Sequence, residues 1–233
     1  MPAREAVSAL SVSPITAWSY SRFAMWETCP LQFKLTHIDK HPKPTSAAMQ
    51  RGDKIHKGIA AYLTGAAEAP PAEATKHPFP AKLIEELKGF DDKVIEQQWG
   101  YTRSWQPTGW FGKDTWFRNI ADVAVLYDDL TADVPDWKTG KKYGSNADQM
   151  ELTAVAMFKR FKPVKHVTAR MVYLDSGEED VAEFAKAEEP ALTAKWENKV
   201  APMFSDTVFA PRPNDKCRFC DFSRSNQGLC KFG

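Results

Sequence analysis

An apolar run from Ile120 to Leu126, broken only by Asp122, is followed after Asp128-Asp129 by Thr131 to Lys138, and no other stretch constrains the fold as much. Two such runs around a turn read as a β-hairpin. Alternation along a strand points Asp136 and Lys138 to one side and sends Trp137 to the other. Loop length then decides where Asp122 goes. A three-residue loop, Asp128 to Leu130, places residue 127 opposite 131 and Asp122 opposite Asp136, which converges both carboxylates and the Lys138 amine on one face. A two-residue loop splits them. Carboxylates about 5 Å apart across a hairpin repel each other, and Mg2+ or Mn2+, which prefer oxygen ligands, offset that repulsion. The trio suits phosphodiester hydrolysis: the metal polarises the phosphoryl group and activates water, while the lysine positions the nucleophile or stabilises developing charge. Taken alone, Asp-x-Lys is common, and these residues also read as strand-end carboxylates and a surface lysine.

Around the hairpin, helical spacing dominates. Ser19 caps a helix over Tyr20 to Lys34 that Pro30 must bend or break. A linker, His41 to Thr45, leads to a helix from about Ala47 to Leu63, and Gly65 to Pro80 reads as a surface loop. Leu83, Ile84, Leu87, Val94 and Ile95 predict a helix from Ala81 to about Gln98. The aromatic stretch Trp99 to Phe117 suggests short strands and turns. After the hairpin come a loop (Thr139 to Ser145), a helix from about Ala147 to Phe161, a strand at Val164 to Leu174 and a helix near Lys186 to Phe204. This order predicts a single α/β domain over residues 19–233, with a mixed central sheet flanked by helices and residues 1–18 as a tail.

Composition narrows the class. The 233 residues are 43% hydrophobic and 26% charged, which excludes disordered, collagen-like and membrane-spanning classes. Met1 to Ser13 lacks the apolar core of a secretory signal, so a cytoplasmic location is expected, with no membrane partner. With 31 basic against 30 acidic residues there is no uniform basic coat. Between Leu31 and Lys57, however, six basic residues, Arg51 among them, stand against two acidic ones, a patch that could hold phosphates or form a solvated helix face.

Asp122, then Asp136-x-Lys138, the Thr139-Gly140-Lys141 loop and Gln149 in the next helix resemble the PD-(D/E)xK nuclease superfamily, most of all its RecB-type exonuclease branch. Asp122 matches the first acidic residue of the motif and Asp136 its D/E slot. Gly52-x3-His56 matches an early helix that supplies a metal-binding histidine, and Glu96 falls where such enzymes often carry a further acidic residue. A lone histidine beside Ile55, Ile59 and Leu63 is by itself usually a core or boundary residue; the resemblance makes it a ligand, and imidazole suits Mn2+ better than Mg2+. The resemblance implies a restriction-endonuclease-like core in which His56, Asp122, Asp136 and the Trp137 carbonyl hold metal, and Asp122, Asp136, Lys138, Gln149 and Glu96 serve catalysis. One departure stands out, since the family helix commonly reads Gln-x3-Tyr and here Gln149 is followed by Thr153.

Four cysteines complete the pattern: Cys29 near one end and Cys217, Cys220 and Cys230 within the last 17 residues. In a cytosolic chain they read as metal ligands or bystanders more readily than as disulfides. Thiolates bind iron-sulfur or Zn2+, and similar nucleases carry one cysteine before and three after the catalytic motifs on a 4Fe-4S cluster. The resemblance therefore implies a cluster joining the two ends of the chain.

The activity implied is a metal-dependent DNA exonuclease of a prokaryotic or phage setting, serving recombination, repair or DNA processing. Arg118, Lys141 and Arg51 are the expected nucleic-acid contacts, and the aromatics before Phe117 could stack on unpaired bases. The rival is a non-catalytic nucleic-acid-binding or assembly protein that keeps fold and cluster. A homo-oligomer or a recombination protein as partner stays open.

Overall fold

The computed structural model describes residues 14–140, 142 and 146–233. They gather into two compact units, the described residues up to Lys43 with Asn198–Gly233, and those of Pro44–Glu197.

The larger unit is built on a six-stranded mixed sheet in the order β2-β1-β3-β4-β5-β6, with β1 Lys93–Tyr101, β2 Pro107–Thr108, β3 Phe117–Leu126, β4 Thr131–Lys138, β5 His166–Tyr173 and β6 Glu178–Ala185. Only β4 and β5 pair in parallel. That crossover is made by helix α5, Ala147–Arg160, as a parallel connection requires. Alternation along β5 separates two cores. Val172 joins Val123, Val125 and Trp137 under Ile55, Ile59, Ile84 and Leu87, which come from α3 (Ala47–Leu63) and α4 (Pro78–Lys88). Ala169, Met171 and Tyr173 face Met150 of α5, with Phe184 of β6 beside them. The sheet thus lies between α3 and α4 on one face and α5 on the other.

Helix α3 starts where the sequence predicts: Ser46 caps it by accepting from the Met49 amide at 3.2 Å. Helix α4 does not run to Gln98. It stops at Lys88 before Gly89, and residues 93–101 form strand β1. The helical spacing that links Leu87 to Val94 and Ile95 is fortuitous; Gly89, Asp91 and Asp92 interrupt it, and Val94, Ile95, Trp99 and Tyr101 are good strand formers. Strand β6 has no counterpart in the sequence reading because its charged, half-exposed residues carry little apolar alternation. The Gly177 turn that makes it possible is visible, at φ +74°.

In the smaller unit, Pro30 divides the expected first helix. Helix α1 (Tyr20–Thr28) ends at Cys29, whose backbone is extended, and α2 (Pro30–Phe33) begins with the proline at its first position, continuing as a π-turn, Lys34–Ile38. Ile15, Ala17 and Trp18, before α1, are buried. The last helix is α6, Glu189–Ser205. No helix among the described residues is long and apolar enough to cross a membrane.

Candidate active site

The hairpin forms with the three-residue loop. Val125 pairs with Asp133 and Leu126 with Ala132, and the Tyr127 amide donates to Thr131 O at 2.9 Å. Asp129 Oδ1 accepts from both the Thr131 amide and hydroxyl, at 3.1 and 2.7 Å, and Leu130 takes the left-handed conformation that closes the loop. The ladder then ends. β4 stays paired with β5 along its whole length, so beyond Asp133 it parts from β3. Asp122 and Asp136 are therefore not a laddered pair, as the register alone implied. Asp122 Oδ2 accepts instead from the Trp137 amide at 2.9 Å, which satisfies a donor the parted ladder would leave unpaired.

Three elements deliver ligand-type side chains to that gap. His56 projects from α3 and sets Nδ1 3.2 Å from Asp122 Oδ2. Glu96 lies on β1, not at a helix end, and the β1–β3 register puts it opposite Asp122, flanked by the pairs Ile95–Val123 and Gln97–Ala121. Its backbone is left-handed, φ +48°, an uncommon state for glutamate. One ligand atom from each of His56, Glu96 and Asp122 lies within 4.8 Å of the others, and no other such group occurs among the described residues.

Asp136 belongs to an adjoining network. Its Oδ2 is 2.6 Å from Lys138 Nζ, and Gln149, in the first turn of α5, closes a triangle: Nε2 donates to Asp136 Oδ1 at 2.9 Å while Oε1 accepts from Lys138 Nζ at 3.1 Å. Asp136 and Lys138 thus share a face, as alternation predicts, and Trp137, 2% exposed, packs into the core under α3 and α4. Trp137 meets the site through its backbone only. One turn after Gln149, Thr153 is buried within α5.

The electrostatics follow from three carboxylates gathered beside a histidine and a lysine. Burial, then the nearby Asp122 charge, push the Asp136 carboxyl up to about 6 against the pull of Lys138. Burial and Asp122 likewise raise Glu96, with His56 opposing. For His56, burial favours the neutral ring, but the hydrogen bond and charge of Asp122, with Asp136 and Glu96, outweigh it and lift its pKa above the ordinary histidine value.

Of the expected nucleic-acid contacts, Arg51 is committed to a carboxylate. It makes a bidentate pair with Asp175, at 2.6 and 2.9 Å, and Asp175 Oδ2 also accepts from the Gly140 amide at 2.7 Å. Asp175, which the sequence reading passed over, so braces α3 to the turn after β4. Nothing marks it in the sequence except its place just past an apolar strand. Lys141 lies outside the described residues. The Arg118 guanidinium rests over the rings of Trp110 and Phe111, 5.5 and 5.7 Å from their centroids.

In the smaller unit, Cys29, Cys217, Cys220 and Cys230 are free thiols that line one cavity of about 300 Å³, with Phe219 and Phe222 among its other walls. The Arg212 amide donates to Cys29 Sγ at 3.5 Å and the Asn214 amide to Cys217 Sγ at 3.4 Å. No three thiols approach within 4.8 Å of one another among the described residues.

A profile of the PD-(D/E)XK nuclease superfamily matches residues 17–225. The chain belongs to that superfamily. No curated protein matches it. Among solved structures it is similar to SSO0001, with 14% identity and a TM-score of 0.42 over 91% of this chain and 86% of that one. It is also similar to a protein of Eubacterium rectale provisionally named an exonuclease, with 11% identity and a TM-score of 0.46 over 91% and 88%. PD-(D/E)XK nucleases typically use Mg2+ or Mn2+, and the donor set here fits such an ion. Glu96 and Asp122 offer oxygens beside the His56 imidazole. The neighbouring Asp136 Oδ2 is buried and has the Lys138 ammonium as its counter-ion at 2.6 Å.

Proposed function

We propose that this PD-(D/E)XK nuclease is a divalent-metal-dependent deoxyribonuclease that hydrolyses DNA from strand ends. One observation carries the reading: His56, Glu96 and Asp122, from a helix and two strands, meet within 4.8 Å beside the Asp136–Lys138–Gln149 triangle. His56, Glu96 and Asp122 would hold Mg2+ or Mn2+, with Asp136 and, by the family resemblance, the Trp137 carbonyl as further ligands. When bound, the ion polarises the phosphoryl group and lowers the pKa of an attacking water. The chain's own groups do the rest. The Trp137 amide fixes the Asp122 carboxylate. Lys138, held by Asp136 and Gln149, places a positive charge where a phosphoryl oxygen or an incoming hydroxide is stabilised. Gln149 orients both partners of that pair and sets Lys138 for the substrate. The imidazole ligand favours manganese relative to an all-oxygen site.

The four-cysteine cavity would take a 4Fe-4S cluster, with zinc as the alternative. It is supported by four undisulfided thiols on one wall set and by a volume several times the roughly 30 Å³ of one water. Tetrahedral zinc, with Zn–S near 2.3 Å, needs sulfurs about 3.8 Å apart, whereas no three of these thiols lie within 4.8 Å of one another. Absorbance near 400 nm in anaerobically purified protein reports iron-sulfur and is silent for zinc.

Digestion of end-labelled single- and double-stranded DNA with added Mn2+ or Mg2+ tests the nuclease reading. Lys138→Ala and Asp136→Asn are expected to lower the rate by about 10²- to 10⁴-fold. Equal digestion by wild type and both variants would overturn it.

A further inference from the structure

On β3, Arg118, Ile120 and Asp122 alternate onto one face, and that face is open: Ile120 is 44% exposed, while of the alternate positions Phe117, Ala121 and Val123 are buried and Asn119 is half-buried. Across the ladder, Glu96 and Gln98 of β1 are also exposed, so an accessible strip leads away from the ligand group. It ends at a loop. Gly100 pairs with both Arg118 and Thr108, and a Cβ at Gly100 would stand 2.5 Å from Gly109 O, so only glycine lets the 108–112 turn lie this close over β1. The turn carries Trp110 and Phe111 onto Arg118. Phe111 is 84% exposed, the most exposed of the large apolar side chains among the described residues. The Arg118 Nε is buried and has no hydrogen-bond partner.

An aromatic ring held out in water over a guanidinium buries little and contributes little to the fold, since an exposed cation–π contact is weak. Both groups suit one kind of ligand. A base stacks on the ring, and the adjoining phosphate meets the cation. The spacing also fits. Four residues along β3 separate Arg118 from Asp122, about 13 Å at about 3.3 Å each, which is about four stacked nucleotides at about 3.4 Å each.

We propose that Phe111, Trp110 and Arg118 form a clamp for single-stranded nucleic acid, which holds an unpaired base and its phosphate a few nucleotides from the bond cut at Asp122. The proposal rests on the nuclease reading and adds the substrate class: a strand whose bases are free to stack. Binding of fluorescein-labelled oligo(dT) and of a blunt duplex, measured by anisotropy without added divalent metal, separates this question from turnover. Phe111→Ala is expected to weaken oligo(dT) binding about tenfold, since stacking on one aromatic is worth about 1–3 kcal/mol. Phe111→Trp should restore it and Phe111→Leu should not, because leucine keeps the bulk but has no π-face. Arg118→Ala should lower the slope of log K against log salt by about 0.7. An oligonucleotide with 2-aminopurine at successive positions should show quenching at one position in wild type that Phe111→Ala abolishes. Wild-type affinity and quenching in Phe111→Ala would overturn the clamp. So would an altered oligomeric state with unchanged oligo(dT) affinity, which would assign the patch to a protein contact. Failure of the nuclease reading appears separately, as digestion indifferent to Lys138→Ala.

Discussion

Glu96 shows how much one backbone angle can carry. A left-handed residue within a strand costs about 1–2 kcal/mol relative to an extended one, and Glu96 bears that cost at φ +48°. What it gains is position: a carboxylate beside Asp122 and His56, both of which alter its own ionisation. Strain of this kind persists where the surroundings enforce it and clusters at functional sites. Glycine at this position removes the strain and the carboxylate together. Glu96→Gly is expected to melt no lower than wild type while its Mn2+ affinity, measured by titration calorimetry, falls about tenfold or more, roughly 1.4 kcal/mol. A drop in melting temperature with unchanged Mn2+ affinity would mean that Glu96 is a structural residue.

Between elements, close approach does the positioning. Glycine in a helix interior costs about 1 kcal/mol relative to alanine, yet α3 carries Gly52 one turn before His56. A Cβ there would lie 3.0 Å from Thr139 Oγ1, just past the end of β4. The missing side chain lets α3 descend onto the turn that follows Lys138, and Arg51, next to it, is tied by Asp175 to the same turn. His56, four residues on, shares that face of the helix. A larger residue must push the helix away and take His56 with it. Gly52→Leu is expected to lower Mn2+-dependent digestion at least tenfold, about 1.4 kcal/mol, with the helical circular dichroism of the protein preserved. Digestion at the wild-type rate would show that this approach does not set His56. The hairpin teaches the same point: a three-residue loop sets the register at Val125 and Asp133, but the parallel partner β5 pulls β4 away before that register reaches Asp122.

Over the whole molecule, pH dependence is expected to come partly from His37 in the smaller unit, away from the ligand group in sequence and in unit. Burial, then the charges of Arg22 and Lys43, lower its pKa from 6.5 to about 4. It packs on Phe33, with ring centroids 5.0 Å apart. The folded protein therefore keeps His37 neutral where the unfolded chain takes up a proton. Its contribution is intact above 6.5 and is lost as pH falls from there toward about 4. The denaturation midpoint should drop between pH 7 and pH 5, and His37→Gln should show a smaller drop over the same interval, because glutamine does not titrate. Equal drops in both proteins would assign the pH dependence to other groups.

Much of the chemistry was legible in the residues: the strand pair, the shared side of Asp136 and Lys138, the inward Trp137 and the break at Pro30 all follow from period-two alternation, turn chemistry and proline geometry, whereas the choice between a two- and a three-residue loop came from the structure. These rules act over a few residues, and they determined the hairpin before any packing was considered. Glu96 was picked out by type but placed on a helix, because Leu83, Leu87, Val94 and Ile95 fall at helical spacing across the break at Gly89, Asp91 and Asp92, and pairing with β3 makes residues 93–101 a strand. Arg51 carried the right charge for phosphate, yet its partner Asp175 lies 124 residues on, out of reach of any local rule. What the sequence by itself determined is which donors exist and how they alternate. Only the tertiary structure decided that His56, Glu96 and Asp122 meet, while Asp136 turns to Lys138 and Gln149, because such distances depend on how far two strands part and how closely a helix lies over them.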